Sequence, residues 1–553
     1  MKKSRFKVLI LLRGHAEDGP VMDLVNRLAC AGISDINFLE LRDTCSSQFH
    51  STRWLFYLRS LLRMTSNAFI SAIINIELSF LKCKHKKEKG KMAETPGSIY
   101  PSRKIIQVHR KISSDGKYIR MCDVKAIACL GADLLVQIDG PTPPSGISAA
   151  GKFGLLALMY GPNMHENLPR PGFWASYYRK NKTEFQIRHY QHGEDTGNMT
   201  LHGSFATKLL FSENQKSLLC QSNAQLALII LRIRRDSALL PIREERAFDF
   251  SQDQAPNLLF LLIYMFKSAY RMGCKFSRRG LNIKQKWALA LSAGSWSSAN
   301  DNNAIKFEPP KGKFWADPFL FKERDQLYCF VEEYSYKIKK GHISVLSIDN
   351  GKVMELGCCI EKPFHLSFPY IFRYNGHIYM CPEASESKKI TIYRSEVFPL
   401  KWHAHSIAME NVSAVDTMIF EFEEKWWMFT NIDTSGISEH GSALYIFYSE
   451  TPLNGNWTAH AMNPIIVDSR GGRNGGLIIQ EGRIFRGAQV QGYDQYGQGI
   501  IVSEIVTLNE SDYMEIERKE FGPRRKAGIV GVHHISSAGN MTIVDQLTDK
   551  FRA

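Results

Sequence analysis

Short apolar runs that end near glycine mark the first 250 residues: VLILL at 8–12, GADLLVQIDG at 131–140 and GLLALMYG at 154–161. DINFLEL at 35–41 reads as one more strand. Between these runs, DLVNRLACAGI at 23–33 and residues 54–81 carry apolar positions at helical spacing. Near-continuous apolar strands alternating with amphipathic helices predict an open, mostly parallel α/β sheet over 1–250. Ligands of such sheets bind beyond the carboxyl ends of the strands. Residues 251–285 are apolar and basic and predict a helical connector.

From 286 to 553 the period changes to short strands with turn signals. ADPFLF leads to LYCFVEEY and HISVLSI; FPYIFRYNG leads to HIYMCPEAS and KITIYRS. VDTMIFEFE leads to KWWMFTNI and ALYIFYSE; NGGLIIQEG leads to RIFRGAQVQG and GIIVSEI. The units begin near 317, 369, 416 and 474. A period of about fifty residues with three or four strands per unit is that of a β-propeller blade. WALALSAG at 287–294 and HHISSAGNMTIVDQ at 533–546 are expected to pair as a fifth blade. Closing the ring in this way hides the sheet edges that an open array exposes.

A chain of 553 residues is too long for one core. Its net charge of +15 reads as a scattered, solvated surface, with one dense basic run, KCKHKKEKGK at 82–91. No nucleic-acid motif accompanies the charge, so nucleic acid is not an expected partner. The 11 cysteines include no C-x-x-C pair, which argues against a zinc ribbon or a redox motif and predicts a reduced, cytoplasmic chain. The apolar start is too short for a signal segment. The longest apolar runs, AFISAIINIELSFL at 68–81 and NLLFLLIYMF at 257–266, fall short of the roughly 20 residues a membrane span needs. Buried helices are the expectation for both, with a membrane-surface helix as the alternative.

GEDTGNM at 193–199 follows a strand-like NKTEFQIRHY, and the FGLLALMYGPNMHENLPRP stretch lies upstream. Together they resemble the formyltransferase family that uses N10-formyltetrahydrofolate. The resemblance covers about residues 1–250 and is sharpest over 130–200. It implies a strand written G-x-x-N-x-H, with Asp-x-Gly about 36 residues after the histidine; the histidine and asparagine stabilise an oxyanion and the carboxylate keeps the histidine charged. Asp195 fits the carboxylate. In the expected register the other two positions are Ala157 and Met159, which can do neither task. Asn163 and His165 form an N-x-H six residues later. Either a reshaped loop brings His165 to Asp195, or the domain is a shell without activity. Pro171 to Trp174 are expected to form a wall of the pocket.

GKFWADPFLF and VEEYSYKIKKGHISVL carry a second resemblance, over roughly 286–546, to the propeller domain at the N-terminus of plant glucosamine inositolphosphorylceramide transferases. More distantly, the repeat resembles five-bladed glycoside hydrolases of the arabinanase and levansucrase type, which set acidic residues from different blades around the channel. That likeness points to Asp317 in blade one and Asp416 in blade three. Blade four offers Arg473 and Asn474 and no acid, so Glu383, Glu332 or Glu333 would have to supply a general acid.

The expected protein is a two-domain member of bacterial glycan metabolism. Its first domain would N-formylate an amino-sugar nucleotide from N10-formyltetrahydrofolate, and its five-bladed propeller would recognise a sugar through Asp317, Asp416, Glu383 and Arg473. The alternatives are a carbohydrate-binding protein with both sites degenerate and a propeller that processes glycans. A sugar nucleotide or glycan is the expected partner, and a homodimer is compatible with the pattern. No metal is expected.

Overall fold

The computed structural model describes residues 6–12, 19–43, 65–66, 68–79, 105–110, 121–138, 142–161, 170–237, 243–249, 256–280, 283–299, 304–349 and 351–552. It divides into two compact units, Met1–Gly203 with Thr207–Arg271, and Met272–Ala553 with Ser204–Ala206.

Among the described residues, the first unit is built on seven strands. Their spatial order is Ile105–Arg110, Asp35–Asp43, Lys7–Leu12, Leu134–Ile138, Leu155–Met159, Lys182–Tyr190 and Asn198–Ala206. The first five run parallel, and Lys182–Tyr190 runs antiparallel to Leu155–Met159. Val8 to Leu12 are all buried, as expected of a parallel strand covered on both faces. The helix Leu258–Gly280, expected as a connector, packs its first half into this unit. Tyr264 and Leu261 join Phe173, Trp174, Tyr177 and Phe211 in one aromatic cluster.

The second unit is a five-bladed propeller. Four blades are antiparallel sheets formed by consecutive strands, with innermost strands Lys313–Glu323, Ser367–Tyr374, Ala414–Phe422 and Arg470–Gln480. The fifth is shared between the two ends of the unit. Its strand Met541–Arg552 pairs antiparallel with Ile283–Ala293, with Trp287 opposite Leu547 and Leu291 opposite Ile543. The last strand of the unit thus hydrogen-bonds to its first, and this pairing completes the fifth blade.

Each of the innermost strands of blades one to four breaks register with its neighbour, between Ala316 and Phe319, Ser367 and Tyr370, Val415 and Met418, and twice after Arg470. In the first three blades the break holds a residue in the left-handed region: Asp317 at φ 49°, Phe368 at φ 44° and Asp416 at φ 50°. Such conformations cost of order 1–3 kcal/mol each outside glycine, and they persist where surrounding structure enforces them. A bulge also re-aims the side chain of the strand that carries it.

Ring closure should dominate the stability of this unit. Ile543 is fully buried in the closing strand and packs with Leu289, Leu291 and Trp315. Ile543→Ala is expected to cost about 2–5 kcal/mol in urea denaturation. Met514→Ala, on the exposed outer strand of blade four, should change the midpoint by less than about 0.5 kcal/mol.

Candidate functional site

The bulges of blades one and three bring Asp317 and Asp416 into one buried polar cluster with residues of the other blades. Asp317 Oδ2 accepts the Phe368 N–H at 3.2 Å, which ties blade one to blade two. Its Oδ1 lies 3.1 Å from His533 Nε2, while His533 Nδ1 lies 2.8 Å from Asp545 Oδ2. Asp545 also accepts the backbone N–H of Asp317 at 3.1 Å and those of His533 and His534 at 3.0 Å each. The imidazole therefore sits between two buried carboxylates. Burial disfavours its charged form, but Asp545 and Asp317 outweigh burial and hold its pKa up at about 10. Burial likewise pushes the Asp317 carboxyl up, and the His533 charge overcomes this and brings it down to about 2. A metal ion would find one donor atom each from Asp317, His533 and Asp545 within 4.8 Å of one another. The charged imidazole already occupies the cationic role in that arrangement.

Asp416 is held from the opposite side. Arg473 Nε donates to its Oδ2 at 2.5 Å, and Gln489 Nε2 reaches the same oxygen at 3.3 Å. Asn474 Nδ2 donates to the Asp416 carbonyl at 2.9 Å. Arg473 Nη2 lies 3.7 Å from Glu383 Oε2, and the guanidinium sits over the Tyr496 ring at 4.9 Å. Tyr496 is 44% exposed, and its ring also packs against His533 at 5.2 Å. Burial raises the Glu383 carboxyl well above the usual range, and the nearby Asp416 adds to the effect. Glu332 is raised in the same way, by burial and then by Asp317 and Glu383. The cluster therefore combines an Asp317 carboxylate that favours ionisation with two glutamic acids that favour their protons, the separation of roles that acid–base chemistry uses.

Neighbouring positions on one strand divide the two glutamates at 332 and 333, because successive side chains point to opposite faces. Glu333 accepts from Lys313 at 2.6 Å and from Trp315 Nε1 at 3.0 Å, and lies 3.1 Å from His342 Nε2. Burial would raise its carboxyl, but these three partners hold it near 2. Glu332 instead faces His365, whose Nδ1 accepts the Gly341 N–H at 2.9 Å. His365 Nε2 then carries the proton, directed toward Glu332 Oε1 at 3.5 Å. His534 is fully buried with neither ring nitrogen partnered, and burial lowers its pKa to about 4. Its ring meets Phe319 at 4.4 Å and Phe368 at 5.2 Å.

The structure thus brings together Asp317, Asp416, Glu383 and Arg473, and it adds Glu332. His533, His534, Asp545, Gln489 and Tyr496 complete the cluster and escaped the sequence reading. The His-His pair before the closing strand was the one available signal, and it was read only as part of that strand.

In the first unit, Asp195 is exposed and both oxygens are engaged. Ser145 Oγ donates to Oδ2 at 2.5 Å and the Gly146 N–H to Oδ1 at 2.6 Å. The Ser145 bond, then that of Gly146, lowers its pKa. Ala157 and Met159 are buried in the central sheet. Asn163 and His165 lie outside the described residues. Trp174 is not a pocket wall of the kind expected: it is buried edge-on against Phe173 and Phe260, both at 5.1 Å.

The resemblance to curated relatives falls on this propeller. Residues 287–528 match the family described as "Glucosamine inositolphosphorylceramide transferase 1, N-terminal". The propeller is similar to that domain. Glucosamine inositolphosphorylceramide transferase 1 of Arabidopsis thaliana is 38% identical over 250 residues, covering 44% of this chain and 32% of that protein. The protein of the same name from Oryza sativa subsp. japonica is 35% identical over 209 residues, covering 37% and 28%. The chain spans about a third of the length of the curated relatives it matches. Among solved structures, a thermostable family-43 glycoside hydrolase aligns at 16% identity and a TM-score of 0.34, covering 44% of this chain and 91% of its own. The α-L-arabinanase of Cellvibrio cellulosa complexed with arabinohexaose aligns at 11% and 0.28, covering 36% and 77%.

The buried imidazolium fixes a pH dependence. His533 has a folded pKa near 10 against an ordinary 6.5, so its contribution to stability is complete below 6.5 and is lost as pH rises through 10. Asp317, near 2 against 3.8, contributes fully above 3.8 and loses its contribution as pH falls through 2. His533→Gln leaves two buried carboxylates without their cation and is expected to cost about 3–5 kcal/mol near neutral pH. Urea denaturation of both proteins across pH should show the gap narrowing as the wild type passes pH 10.

Proposed function

We propose that the propeller is the sugar-recognising unit of a glycan-processing protein, with the sugar held against Tyr496 by Asp317, Asp416, Arg473 and Glu383. The observation that carries this reading is the convergence of these side chains from four blades beside an accessible aromatic ring. Sugar hydroxyls both donate and accept. Carboxylates accept from them, while Arg473, Gln489 and the protonated glutamic acids donate. An aromatic face packs against the apolar face of a pyranose, so Tyr496 and the charged groups would read different sides of one ring. The relatives' name describes a transferase, which supports sugar transfer over simple storage of a binding site. The pairing of Asp416 with Arg473, and Asn474 in place of an acid, weigh against hydrolysis with a third carboxyl from blade four.

Saturation-transfer NMR and calorimetry with glucosamine, sugar nucleotides and sugar-substituted inositol phosphates test the reading. Tyr496→Ala and Asp317→Asn should each weaken binding about tenfold or more, with the Tyr496 variant unfolding at the wild-type midpoint. Absence of binding to every sugar tried, or unchanged affinity in both variants, overturns it.

A second reading concerns the first unit, which would use N10-formyltetrahydrofolate to formylate an amino-sugar nucleotide. It rests on Asp195, held by Ser145 and Gly146 in a carboxylate-favouring setting. Ala157 and Met159 supply no polar group for that cofactor, so Asn163 and His165 would have to do so. Folate-dependent formylation by the wild type, reduced about a hundredfold or more in both His165→Ala and Asp195→Asn, supports it. No formylation by the wild type removes it.

A further inference from the structure

The helix Leu258–Gly280 has two faces that the core does not explain equally. Leu261, Tyr264 and Ser268 are buried on one side. On the other, Leu259, Leu262, Phe266, Tyr270 and Phe276 are exposed, Phe266 by 76%, Tyr270 by 72% and Leu259 by 62%. Their spacing of three or four residues aligns most of them in one stripe along about five turns, with Ala269 and Gly273 filling the gaps. An apolar stripe of this length on a soluble surface marks an interaction site. Among the described residues, no helix is long and apolar enough to cross a membrane.

Charge decides the occupant. The helix carries Lys267, Arg271, Lys275, Arg278 and Arg279 and no acidic residue. Lys275 pairs with Asp494, and Lys267 sits over the Tyr177 ring at 4.1 Å. An anionic lipid surface offers hydrocarbon for the stripe and negative charge for the cations. Tyr270 has the amphipathic ring that settles at a bilayer interface.

We propose that Leu258–Gly280 is an in-plane membrane-docking helix that seats the protein on anionic lipid through Leu259, Leu262, Phe266 and Tyr270. The stripe lies in the interface without crossing it, and the buried face stays attached to the aromatic cluster around Phe173 and Trp174.

Co-flotation of the full chain with vesicles of phosphatidylcholine mixed with phosphatidylglycerol tests this directly. The wild type should float with the mixed vesicles, and less with phosphatidylcholine alone or at high salt. The combined variant Leu262→Ser, Phe266→Ser and Tyr270→Ser should lower the bound fraction about tenfold or more, with circular dichroism unchanged. If the combined variant fails to fold, Phe266→Ser alone, at the most exposed position, should still show a clear loss. Three results overturn the proposal: no flotation of the wild type, undiminished flotation of the folded variants, or a wild-type dimer that binds no vesicle and that the substitutions turn into a monomer.

Discussion

The His533 imidazolium, clamped between Asp317 and Asp545, joins the end of the propeller to its beginning. Asp545 belongs to the closing strand Met541–Arg552, Asp317 to the innermost strand of blade one, and the second oxygen of Asp317 reaches the backbone of blade two. Three blades therefore share one charged contact. Two buried carboxylates without a cation would be strongly unfavourable, so the contact forms only when closing strand, blade one and the His533 segment are all in place. Strand pairing alone could slip by two residues and still bury the same face. The clamp has one register, and that makes it a specificity device as well as a source of stability.

The same clamp sets the electrostatics of the neighbouring groups. It keeps Asp317 ionised and so leaves Glu332 beside a fixed negative charge in a buried setting. Glu332 responds by favouring its proton, and Glu383 does the same beside Asp416. Arg473 neutralises Asp416 and extends the network to Tyr496. A buried polar network is stable only when its members are satisfied. His534 departs from this, with both ring nitrogens unpartnered between two phenylalanines. Its neutral form suits that apolar contact.

The blade repeat and the closing pair were legible because strand period and turn residues are local signals. WALALSAG and HHISSAGNMTIVDQ do pair, Leu291 opposite Ile543. The aspartates were legible because they recur at the same place in the repeat. The partners of those aspartates were not. His533 is 216 residues from Asp317 in sequence, and nothing local shows that the segment between the strands Ile529–Gly531 and Ile535–Ala538 turns the imidazole inward. Glu332 and Glu333 could not be separated, since a shift of one residue exchanges the two faces of a strand. Trp174 was read as a wall for a related reason: Phe260, which packs against it, comes from a distant helix, as do Phe211 and Tyr264, which pack against its neighbour Phe173. Asp195 looked chemical from its Asp-Thr-Gly setting, while its two donors sit about fifty residues upstream in a loop that carried no motif.

One structural position shows how the fold and the chemistry separate. The left-handed bulge of the innermost strand recurs at Asp317, Phe368 and Asp416. If the strained backbone existed to aim a carboxylate, blade two would not place a phenylalanine there. Phe368 has instead the least favourable side chain of the three for that conformation, yet it keeps the bulge and packs against Phe319 and His534. The bulge therefore serves the packing of innermost strands around the axis, and blades one to three meet its cost with a non-glycine residue. The carboxylates are a second layer, placed at only two of the available positions. Each is matched by a cation from another blade, His533 for Asp317 and Arg473 for Asp416. A repeat supplies equivalent backbone positions; the site arises because they are filled unequally.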